Sequence, residues 1–151
     1  MNVEKKIQHS LNDLIEIARD GGEFYTEAAG KVKDARLATL FSQMAAHKQE
    51  IVSTLSADVA ASGGDPADHG TMVGSMHQMY GKARAALGDT NYAYVAELEE
   101  SEDRLLKAFK DTLKDDDTPA QARMAAERLM PRVVECHDIM RNHKHALKAA
   151  S

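Results

Sequence analysis

A chain of 151 residues is the size of one ordinary domain and can bury about 68–70% of the surface it exposes when unfolded. Its net charge of −5 and the lack of any basic stripe beyond Lys5-Lys6 exclude a nucleic-acid footprint. No apolar run approaches the roughly 18 residues of a membrane span, and the start MNVEKKIQHS has no apolar signal core.

The lone Cys136 excludes an internal disulfide and suits a reducing compartment, so a bacterial-style cytoplasmic protein is expected. Three prolines, nine glycines, no tryptophan and eight methionines favour helix over sheet, in a single domain spanning 1–151.

Ile7, Leu11, Leu14, Ala18, Tyr25, Ala28 and Val32 form one stripe and predict a first helix over 3–33. Glu16, Asp20, Glu23 and Glu27 form the opposite face, expected to be solvated rather than a metal ladder. Gly21-Gly22 weakens the helix locally and is taken as a close helix–helix approach rather than a bulge. Asp34 is the expected N-cap of a second helix over 35–62, with Leu37, Leu40, Phe41, Met44, Ile51, Leu55 and Val59 inward and Lys48 on that same side. The very short link makes the first two helices an antiparallel hairpin, and Gly63-Gly64 and Asp65-Pro66 end the second.

A shorter helix over 71–87 carries Met72, Val73, Met76, Met79 and Tyr80, and Gly88 closes it. It is expected to cross over the end of the bundle; its methionines offer the alternative of a pliable partner surface. The next helix, over 91–114, organises the chain. Val95, Leu98, Leu105, Phe109 and Leu113 make its stripe, and at ~100° per residue Glu102 falls inside that stripe while Glu97 and Glu100 fall outside. A carboxylate among Leu and Phe must be paired, bonded or protonated.

Asp115-Asp116-Asp117 ends that helix, and Thr118 with Pro119 opens the last, over 119–149. Ala122, Ala125, Leu129, Val133, Cys136, Met140 and Leu147 point inward there, and Pro131 is expected to kink or break the helix near 127–130. Cys136 is a small buried hydrophobe in this pattern rather than a reactive thiol. His143 and His145, two apart among basic residues, form a solvated end.

Two helix hairpins joined by a long crossover with a short extra helix resemble the ferritin-like antiparallel four-helix bundle. The run from Tyr25 through Ala28-Ala29 to Leu40, Phe41, Met44 and Ala45 is similar to the first hairpin of rubrerythrin-type proteins. LNDLIEIARDGGEFYTEAA, GGDPADHGT and ESEDRLLKAFKDTL resemble a bacterial ferritin-like family of unknown function.

Ferritin-like di-iron proteins use a Glu from each of two helices and a Glu-x-x-His pair from each of the others. The resemblance puts Ala18 at the first Glu, Lys48 and Ile51 at the first Glu-x-x-His pair, and Glu102 at the third-helix Glu. The last helix has no such pair: Glu135 and His137 are two apart, and Val134 stands three before His137. A degenerate di-iron site is therefore expected, with no cofactor and no catalytic residue. In its place a polar core cluster of Lys48, Glu102, His137 and Tyr25 is expected.

The resulting expectation is a non-enzymatic bundle acting through protein association, as a homodimer, with no nucleic-acid or membrane partner. The alternative is an iron- or manganese-dependent oxidoreductase or iron-handling protein with the unorthodox ligand set His47, Glu50, Glu102 and His137.

Overall fold

A computed structural model describes residues 2–71 and 90–150. These form four helices: α1 (Val3–Lys31), α2 (Ala35–Ala61), α3 (Thr90–Lys114) and α4 (Ala120–Ala150). There is no strand among the described residues. The crossover helix expected over 71–87, with Met72, Val73, Met76, Met79, Tyr80 and Gly88, lies outside the described residues except for Thr71. No helix among the described residues is long and apolar enough to cross a membrane.

Local chemistry explains the ends. Asn2 caps α1 by accepting from Lys5 N at 2.8 Å, and Asp34 Oδ1 caps α2 by accepting from Arg36 N (2.8 Å) and Leu37 N (3.2 Å). α1 stops at Lys31, two residues before the expected end, because Val32 is already extended at ψ 140°. Past α2, Gly63 takes φ +87°, a left-handed conformation that glycine adopts without penalty. α4 starts one residue later than expected: the Pro119 carbonyl accepts from Arg123 N at 3.0 Å and so flanks the helix.

α4 continues through Pro131 without a break. Proline denies the Glu127 carbonyl its helical donor. Both residues are exposed, so water can satisfy that oxygen.

α1 lies mainly along α2, and α3 along α4; α1 also meets α3, and α2 meets α4, as in a bundle. The core has two apolar halves. Phe24, Tyr25, Phe41, Met44, Tyr94, Leu98, Cys136 and Met140 belong to one, and Leu11, Ile15, Ile51, Leu55, Leu105, Phe109 and Val133 to the other. On α2 and α3, Lys48 and Glu102 fall between residues of the two halves.

The solvated row expected on α1 is corrected at Asp20, which is 1% exposed. The chain beyond α2 folds back over that face. Asn12 accepts from Ala67 N (2.7 Å) and donates to the Asp65 carbonyl (3.1 Å), and Arg19 Nε donates to the Ala67 carbonyl (3.0 Å). Thr71 then donates its hydroxyl to Asp20 Oδ2. Gly70 is needed here, since a Cβ on it would fall 2.0 Å from Asp20 Oδ1. Glu23 and Glu27 remain exposed.

Candidate functional site

The interior polar group is built from three helices. On α3, Leu98, Leu105 and Phe109 turn their shared face inward and carry Glu102 with them, to 0% exposure. On α2, Met44, Ile51 and Leu55 do the same for Lys48, which is 2% exposed. Lys48 Nζ lies 2.8 Å from Glu102 Oε2.

Tyr25 of α1 completes the group. Its hydroxyl donates to the same Oε2 at 2.5 Å, in the short range of a hydrogen bond to a charged oxygen. Its ring packs on Phe41 with centroids 6.2 Å apart and lies under the ammonium, 5.6 Å from Nζ to the ring centre. Glu102 Oε1 is buried with no hydrogen-bond partner among the described residues.

α1 runs unbroken through Gly21 and Gly22 beside this pair, so no bulge forms. A Cβ on Gly21 would sit 3.4 Å from Ser101 Oγ and 3.7 Å from Lys48 Cδ, and one on Gly22 would sit 3.4 Å from Lys48 Cβ. Replacing either glycine would therefore put a methyl group in direct contact with its neighbours.

Burial pushes the Tyr25 phenol well above its ordinary range, and the Glu102 charge adds to the shift. Burial also raises the Cys136 thiol, while the Lys48 charge pulls it down. Both shifts favour the protonated form.

His137 does not join this group. It sits one residue past core-facing Cys136, and that ~100° turn carries its ring to the α3–α4 seam. Its Nε2 lies 2.5 Å from Asp103 Oδ1 and 3.9 Å from Glu99 Oε1, and its Nδ1 lies 3.3 Å from Asp138 Oδ1.

The unorthodox set of His47, Glu50, Glu102 and His137 does not converge either. His47 Nδ1 lies 3.8 Å from Glu50 Oε2, and exposed Glu50 also reaches Arg132 at 3.6 Å, while Glu102 faces the core. Among the described residues, the histidine, cysteine and carboxylate donors close enough to share one ion are Glu99, Asp103 and His137. Neither Glu99 nor Asp103 stands out in the sequence. Their i,i+4 spacing on one helix face was the available signal, but it looks the same on any solvated helix.

Residues 6–115 match the family described as a domain of unknown function, DUF2383. The chain belongs to the DUF2383 family. No curated protein and no solved structure matches the chain. The DUF2383 match takes in Tyr25, Lys48, Glu102, Glu99 and Asp103; Cys136 and His137, both on α4, lie beyond it.

Proposed function

We propose that the chain is a non-enzymatic, antiparallel bundle of the ferritin-like kind that acts by associating with a second copy of itself. The observation that carries this is the 2.8 Å contact between buried Lys48 and buried Glu102. On the ferritin-like reading, Glu102 stands at a metal-ligand position, and an ammonium already neutralises it there. A second cation in the same apolar interior would face Coulomb repulsion from Lys48. The phenol and thiol beside the pair are both shifted toward their protonated forms. In this reading the pair fixes helix register rather than adding net stability.

Association is supported by the outer face of α3 and α4. A groove of about 830 Å³ there is lined by Leu113, Met130, Pro131, Val134 and Ile139, among others. Val134 is 37% exposed. Glu127, Glu135, Asp138 and Asn142 share the lining, so the apolar strip is narrow and flanked by polar groups.

Metal analysis after anaerobic loading with ferrous or manganous ion, together with sedimentation equilibrium, tests both parts. The expected results are fewer than two ions per chain, a dimer for the natural chain and a monomer for Val134→Glu. Two ions per chain in the natural protein would overturn the metal-free core. A monomer at every concentration would overturn the association.

A further inference from the structure

We propose that Glu99 and Asp103 of α3, with His137 of α4, form a binding site for one divalent transition-metal ion, for which zinc is the best-matched chemistry. The site lies at the helix seam, uses none of the interior group, and is independent of the function proposed above.

The three donor atoms, one imidazole nitrogen and two carboxylate oxygens, all lie within 4.8 Å of one another. Zinc accepts this donor set, with Zn–N and Zn–O bonds near 2.0–2.2 Å and a fourth position open to water. Around a tetrahedral ion with such bonds, the donors stand about 3.3–3.5 Å apart. The observed separations from His137 Nε2 straddle that range, at 2.5 Å to Asp103 and 3.9 Å to Glu99. One must open and the other close by less than an ångström. Asp103, 53% exposed, is free to make that shift.

Two helices supply the donors, and i,i+4 spacing points Glu99 and Asp103 to one face of α3. The scaffold on both sides is rigid helix, and Glu99 and His137 are themselves mostly buried, at 11% and 12% exposure. Asp138 Oδ1 lies 3.3 Å from the other ring nitrogen, where it can accept from Nδ1–H and leave Nε2 as the donor to metal.

Lys144 opposes the ion. Its Nζ lies 3.5 Å from Glu99 Oε2, the oxygen that faces away from His137. Removing that charge strengthens Glu99 as a ligand, an effect that a merely structural ion cluster would not produce.

The test is calorimetric titration of the full chain, stripped with chelator, using zinc alone, with cobalt(II) absorption reporting coordination geometry. One ion per chain is expected, with tetrahedral cobalt bands. His137→Ala and Asp103→Asn should weaken zinc binding at least tenfold, while Lys144→Met should tighten it and His47→Ala should leave it unchanged. Thermal unfolding of each variant establishes that it is folded. Absence of saturable zinc binding, or unchanged affinity in folded His137→Ala, would overturn the site. Loss in His137→Ala without a gain in Lys144→Met would remove Glu99 and overturn the three-ligand assignment.

Discussion

Glu102 and Asp103 are adjacent in the chain, yet one is 0% exposed and the other 53%. Each meets a cationic or protonatable partner from another helix: Lys48 at 2.8 Å for Glu102, His137 at 2.5 Å for Asp103. The chemistry is alike and the surroundings are not. In the interior, low dielectric makes the pair costly to break, because a lone charge left behind has no water. At the seam, half-exposed Asp103 can take water in place of its partner, so its contact is weak and exchangeable. The same helix thus carries a fixed structural carboxylate and, one residue on, one available for binding.

That contrast can be broken first at Glu102. Glu102→Ala should strand Lys48 in the core and lose about 3–5 kcal/mol, read by urea unfolding. A loss below about 0.5 kcal/mol, the scale of surface substitutions, would mean that the carboxylate is not interior.

Tyr25→Phe keeps the ring on Phe41 but removes a hydrogen bond to a charged oxygen, and should lose about 1.5–3 kcal/mol. The phenol also imposes a pH dependence. Its folded pKa is raised, so its contribution is fully present below the unfolded value of about 10 and is lost as pH rises toward the folded value. Melting temperature should therefore fall more steeply above pH 10 in the natural chain than in Tyr25→Phe. Parallel curves would mean that Tyr25 is not desolvated.

At the seam, Asp103→Ala without metal should lose only about 0.2–1 kcal/mol by the same unfolding measurement. A loss matching that of Glu102→Ala would erase the distinction between the two regions. Smallest of all, Glu23→Ala on the exposed face of α1 should change stability by less than about 0.5 kcal/mol. A large effect there would show that a different face of α1 is buried.

The helices were legible because their apolar residues recur every three or four positions, and that spacing survives whatever the tertiary packing. Lys48 and Glu102 were legible as anomalies, since a charge inside an apolar stripe demands a partner. What failed depended on distant chain. Asp20 looked solvated because nothing near it in sequence announces that the chain through Gly70 and Thr71 folds back onto it. His137 borders the Cys136 stripe and so reads as part of the interior group, but one further residue along α4 turns it to Asp103 instead. Phe24 and Tyr94, both buried, lie outside a single apolar stripe because their helices touch more than one neighbour. At Pro131 the helix runs on without a break, with the Glu127 carbonyl on an exposed face where water can replace its lost donor.

The most direct test of the central claim is a double-mutant cycle on Lys48→Met and Glu102→Leu, followed by urea unfolding. Each single substitution should lose about 3–5 kcal/mol, and the pair together should recover most of that loss, because two apolar side chains can fill the space of a buried ion pair. Losses that add to within about 0.5 kcal/mol would contradict the account, since independent effects mean that the two charges do not meet in the core.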